Sequence, residues 1–251
     1  MQRRQFLATS LAATATLLPA APVAAAASAP LRLLAFGDSN TWGLRPTLAG
    51  QALQRYADTA RWSGVLQAAL GSAVQVCTHG LMARTLATDL PEGIAGLSGE
   101  DHNGLRRLPL ALLEERPVHA VVLMLGTNDL MAALRREPAE IAAAVADVAA
   151  AVERGTAAHP RLRGPRLLLV APPPLGDPAR GAFAEDFDAG SVQKSRALAA
   201  ALQAAAQAAG ADFAQAADWT PTDGSDGVHL SPAAHRRLGT GIAGVLHRRL
   251  A

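Results

Sequence analysis

The sequence predicts a three-layer α/β domain built on a mostly parallel, five-stranded sheet. Three observations carry that expectation. Short apolar runs alternate with longer amphipathic ones from Leu31 onward, the strongest of the short runs are apolar at every position, and the length suits one such domain. The 251 residues are 50% hydrophobic and 18% charged, which supplies a sizeable core and excludes a disordered or collagen-like chain.

The elements follow in order. Leu31-Arg-Leu-Leu-Ala-Phe36 reads as the first strand and Ala73–Thr78 as the second. Ala120-Val-Val-Leu-Met-Leu125, with two adjacent valines and no polar residue, reads as a strand covered on both faces. Arg166-Leu-Leu-Leu-Val-Ala171 is the fourth, closed by three prolines, and Asp212-Phe-Ala-Gln-Ala216 the fifth. Between them the spacing predicts helices over Trp62–Leu70, Gly104–Glu115, Pro138–Arg154, Ser191–Ala209 and Pro232–Leu250. Pro138 and Pro232 suit first-turn positions, and Ser231 is a natural N-cap.

Ahead of this domain, Arg3-Arg4-Gln5-Phe6-Leu7 precedes an Ala/Leu-rich run, two prolines and a string of alanines ending at Pro30. That is the layout of an export signal, expected over residues 1–29 with cleavage near Ala26 and the α/β domain over 30–251. The arginine pair followed by x-Phe-Leu resembles a twin-arginine signal, so the export machinery of that route is the expected partner of the precursor. A membrane anchor is the rival reading. Alanine gives little transfer energy and the prolines interrupt the run, and no later segment is apolar for about 18 residues. Without the leader, basic and acidic residues balance at 21 each, so nothing suggests a nucleic-acid surface. The single cysteine, Cys77, reads as a small buried hydrophobe.

In a parallel sheet, ligand sites form where loops leave the carboxyl ends of the strands, which selects residues 37–43, 79–84, 126–130 and the run 223–229 before the last helix. Ser39 lies in the first, within Gly37-Asp-Ser-Asn-Thr-Trp-Gly43. A serine hydroxyl becomes a nucleophile only when a base takes its proton and donors hold the oxyanion that follows. Asp226-Gly-Val-His229 offers the base, because two intervening residues let a carboxylate reach the imidazole Nδ1 while Nε2 faces the serine. Asp223 is the competing acid, and a metal-binding Asp-x-x-His is a further reading. Asn128, after the third strand, can aim an amide donor at developing charge, and Gly80, after the second, can offer a backbone N–H. Each piece alone has a structural reading as an N-cap or turn residue.

Ser39, Gly80, Asn128 and His229, in that order, together resemble the four blocks of the SGNH, or GDSL-type, hydrolases. Gly37–Gly43, Arg61-Trp-Ser-Gly64, Gly80-Leu-Met-Ala-Arg-Thr85, Arg135-Arg-Glu-Pro138 and Pro172-Pro-Pro-Leu175 look most like the arylesterase and acyltransferase subgroup. The resemblance implies a flavodoxin-like fold, no metal or other cofactor, and acylation of Ser39 with help from His229 and Asp226. It further implies an oxyanion hole made of the Ser39 N–H, the Gly80 N–H and the Asn128 amide. Asn40 stands where the naming signature has Leu, and with Trp42 and Arg84 it is an expected contributor to the substrate pocket. The expected activity is hydrolysis of short-chain or aryl esters, with acyl transfer to alcohols as a competing outcome. Two alternatives are a carbohydrate O-deacetylase of the same fold and a catalytically silent binding protein. The other histidines share no ligand spacing. A homo-oligomer is compatible with the sequence.

Overall fold

The computed structural model describes residues 29–250; the expected export signal, except for its last residue, lies outside them. Five parallel strands, β1 (Leu31–Gly37), β2 (Val74–Gly80), β3 (Ala120–Met124), β4 (Leu167–Ala171) and β5 (Asp212–Gln215), form one sheet in the order β2-β1-β3-β4-β5. All five occupy the runs that the sequence predicts.

Strand alternation sends neighbouring side chains to opposite faces, and each face meets its own helices. Leu31, Leu33, Ala35, Val122 and Val170 pack beneath α2 (Trp62–Leu70) and α7 (Pro232–His247), around the fully buried Trp62. Leu34, Phe36, Val121, Leu123 and Leu169 pack beneath α3 (Gly104–Glu114), α5 (Val145–Gly155) and α6 (Ala189–Ala208). Each fully buried Leu or Val contributes roughly 1.5–3 kcal/mol, so the two clusters supply most of the drive to close the layers. β3 is buried at every residue, whereas the edge strands β2 and β5 are not, as their mixed sequences require.

The helix expected over Pro138–Arg154 is two, α4 (Pro138–Ala142) and α5, with the break at Ala143–Ala144. No proline or glycine causes it; Ile141 and Ala142 on one piece and Val145 and Val148 on the other all enter the same core. Ser231 caps α7, its hydroxyl accepting from the Ala234 N–H at 3.2 Å, a contact worth about 1 kcal/mol. Cys77 is buried on edge strand β2, as expected, and burial pushes its thiol up to about 11, the opposite of an activated thiolate. Among the described residues no helix is long and apolar enough to cross a membrane.

Candidate active site

At the carboxyl end of β1 the chain turns directly into a one-turn helix, α1 (Ser39–Trp42), capped by Asp38, whose carboxylate accepts from the Asn40 N–H at 2.9 Å. Ser39 is therefore the first residue of a helix that begins where the buried strand stops. Its hydroxyl lies 2.9 Å from His229 Nε2, and His229 Nδ1 lies 2.7 Å from Asp226 Oδ2. The Asp226 contact selects the tautomer with hydrogen on Nδ1, which leaves Nε2 free to accept from the serine. Two segments distant in sequence thus meet at one point.

Asp226 is fully buried. Burial alone would raise its pKa, but His229, through a hydrogen bond and its charge, and the backbone N–H groups of His229 and Thr47 outweigh that and hold the carboxyl at about 2. The carboxylate is thus ionised whenever the imidazole needs an anionic neighbour. Asp223 is engaged elsewhere, accepting from the Ser231 N–H and hydroxyl and from Arg237 at the start of α7. The Phe183 and His229 rings meet edge to face, with centroids 5.2 Å apart.

A cavity of about 140 Å³ opens over the serine. Ser39, His229, Asn128 and Asp186 are its polar lining, and Leu44, Met82, Met131, Phe183 and Phe187 are among its apolar walls. Asn128 follows β3 through Gly126, whose φ of +119° suits glycine alone. The Asn128 Nδ2 donates to the Arg84 carbonyl at 2.9 Å, which fixes the amide and leaves its second hydrogen uncommitted.

Gly80 does not line this cavity. It is glycine for packing: a Cβ there would come within 2.1 Å of the Trp42 backbone nitrogen, so the end of β2 can lie against α1 only without a side chain. The residue of that loop that reaches the cavity is Ala83, held at a φ of +57°, whose N–H has no acceptor among the described residues. A non-glycine residue in the left-handed region carries strain of order 1–3 kcal/mol, and such strain gathers where backbone is aimed at a ligand.

The three residues expected in the pocket lie outside its lining. Asn40 is buried and bonds to backbone on both sides of His229. Trp42 is half-buried beneath the Arg55 guanidinium, which lies 4.5 Å from the ring centre. Arg84 is an anchor: its Nη1 donates to the Gly37 and His79 carbonyls at 2.9 and 2.7 Å, and its guanidinium lies over the Phe36 ring. Burial pulls its pKa down to about 10, still far above neutrality. Arg84 thereby ties together the ends of β1 and β2 and, through its own carbonyl, Asn128. Asp129 extends the brace by accepting from the Leu86 N–H and the Thr88 hydroxyl.

A match to the GDSL-like lipase/acylhydrolase family model extends over residues 35–237. Among solved structures, the inhibitor-bound aryl esterase of M. smegmatis is 36% identical, with a TM-score of 0.77 over 88% of this chain and 100% of that one. Est24, a carbohydrate acetylesterase from Sinorhizobium meliloti, is also 36% identical, with a TM-score of 0.75 over 87% and 99%. A lipase/acylhydrolase from Enterococcus faecalis, 19% identical with a TM-score of 0.58 over 88% and 97%, shares the fold. Comparison with curated proteins gave no match.

Proposed function

The chain belongs to the GDSL-like lipase/acylhydrolase family and is an ester-hydrolysing enzyme of the SGNH fold, and on that premise we propose that it is an exported serine esterase for short-chain or aryl esters. The observation that carries this reading is the line from Ser39 Oγ through His229 to Asp226, with contacts of 2.9 and 2.7 Å, on the floor of a small apolar cavity.

In the proposed reaction the Ser39 oxygen attacks the ester carbon while its proton passes to His229 Nε2. The oxyanion is held by the Ser39 N–H, the Ala83 N–H and the Asn128 amide. Collapse breaks the bond to the leaving oxygen, which takes the proton back from Nε2 and departs as the alcohol. Water, activated by the same imidazole, then releases the acid from Ser39. An acceptor alcohol entering the apolar cavity competes with that water, and acyl transfer results. The cavity's small volume supports short acyl groups, and the walls of Met131, Phe183 and Phe187 support an aromatic group. Export rests on the arginine pair and the apolar run before Pro30.

A second reading, a carbohydrate O-deacetylase, is favoured by one observation: the S. meliloti carbohydrate acetylesterase is as similar in sequence as the M. smegmatis aryl esterase. One experiment tests both. The full chain is produced in a bacterial host with the twin-arginine route, the cell is fractionated, and each fraction is treated with a fluorophosphonate probe and with p-nitrophenyl esters of rising length and acetylated xylan. The expected result is labelling at Ser39 of a processed protein in the exported fraction, with hydrolysis greatest for acetyl and aryl esters. Labelled protein confined to the cytoplasm removes export. Folded protein that takes no label removes Ser39 as nucleophile, and acetylated xylan as the best substrate moves the reading to the deacetylase.

A further inference from the structure

Asn40 follows the nucleophile directly and is only 2% exposed, so both ends of its amide need partners. The Nδ2 donates to the Val228 carbonyl at 3.2 Å and the Oδ1 accepts from the Leu230 N–H at 3.1 Å. Those two residues bracket His229. One side chain therefore pairs with the backbone on both sides of the base, as a neighbouring strand would, across 188 and 190 positions of chain.

The rest of the base loop is secured differently. The Thr47 N–H holds Asp226, the Gly176 N–H holds the Gly227 carbonyl, and the Val228 and His229 N–H groups both turn inward to Asp226. Among the described residues, the Asn40 pair and the Ser39–His229 contact itself are the hydrogen bonds that join residues 38–42 to residues 227–230. We infer that Asn40 is a positioning residue, which sets the separation of Ser39 Oγ and His229 Nε2 by joining the turn that carries one to the loop that carries the other. This rests on the serine-esterase reading above.

The chemistry gives the inference a signature that packing alone would not leave. In acylation His229 acts twice, taking the proton from Ser39 as the carbon–oxygen bond forms and returning it to the leaving oxygen as the other bond breaks. A nitrophenolate leaves as a stable anion and hardly needs that second transfer, whereas an alkoxide cannot leave without it. An imidazole whose position has slackened therefore penalises alkyl esters more than nitrophenyl esters of the same acid.

The experiment compares kcat/KM for the ethyl and p-nitrophenyl esters of one short acid, per active site counted by fluorophosphonate labelling, in the wild type, Asn40→Leu and Asn40→Ala. Leu is close to Asn in size and deletes both bonds. Ala deletes them and leaves room for water to satisfy the backbone should Leu not fold. The expected result is a loss on the ethyl ester that exceeds the loss on the nitrophenyl ester by about tenfold or more, a part of the 10²–10⁴ that general acid–base catalysis supplies in full. Equal losses on the two esters, unchanged rates, or failure of both variants to fold overturns the inference, since Asn40 is then a packing residue. A wild type that hydrolyses neither ester overturns the serine-esterase reading instead.

Discussion

The turn that carries Ser39 and the loop that carries His229 each bury a carboxylate, and the two are held at opposite ends of the protonation scale. Asp226 in the His229 loop is held down at about 2, while Asp38 in the Ser39 turn is pushed up to about 6. Both are essentially inaccessible to water, although Asp38 is the more deeply enclosed. Partners widen the difference. Asp226 receives the His229 imidazole and three backbone N–H groups, from Thr47, Val228 and His229. Asp38 is dominated by its desolvation, offset only in part by the Asn40 N–H and the charges of His229 and Arg84. The carboxylate with the fuller set of donors is the one placed to support an imidazolium.

The largest expected break in that contrast is Asp226→Asn, which keeps the shape and removes the charge that orients His229. A loss in kcat of about 10⁴ is expected, the scale for a base left in the wrong tautomer. Asp223→Asn, three residues away but bonded to Ser231 and Arg237, is expected to change kcat less than tenfold, so steady-state kinetics on the pair show whether proximity or contact decides. Next in size is Asn128→Ala, expected to lower kcat by about 10²–10³ with little change in KM, as removal of one oxyanion donor does. An unchanged kcat would remove the Asn128 amide from that role.

The smallest effect concerns stability. The folded pKa of Asp38 lies above its ordinary 3.8, so between about pH 4 and 6 the folded state holds a proton that the unfolded chain has released, and stability falls as pH rises through that window. For Asp226 the sign reverses: its contribution is present above pH 3.8 and is lost as pH falls toward 2. Asp38→Asn keeps an oxygen for the Asn40 N–H and abolishes the first effect, so relative to wild type it should gain about 3 kcal/mol between pH 4 and 6. Urea midpoints at several pH values measure this. His235, which burial holds down at about 4, titrates in the same window with the opposite sign, so the difference between variant and wild type is the quantity to follow.

The strands, and the residues that meet through side-chain chemistry, were legible in the sequence because each has a local signal. Ala120–Met124 is apolar throughout, and Asp226 and His229 stand at a spacing that permits contact. What was not legible depends on geometry without a residue type to mark it. Ala83 reaches the cavity through a positive φ that nothing in Leu-Met-Ala-Arg announces, whereas Gly80, the conspicuous glycine, answers to packing against Trp42. The break at Ala143–Ala144 lies within a run of alanines that would favour one unbroken helix. Asn40 and Arg84 looked like pocket residues because they flank the motifs, but they serve backbone groups that become neighbours only in the fold.

The cavity walls come from connections remote from one another: Leu44 and Leu53 after α1, Met82 and Ile94 after β2, Met131 after β3, and Phe183 and Phe187 after β4. Ser39, by contrast, is fixed at the end of β1, and Asn128 follows β3 directly, locked onto the Arg84 carbonyl. Chemistry and fit are thereby inherited separately. Substitutions in any one connection can retune which acyl group enters while the reactive centre stays intact, so a laboratory selection for new ester preferences should begin with these seven positions.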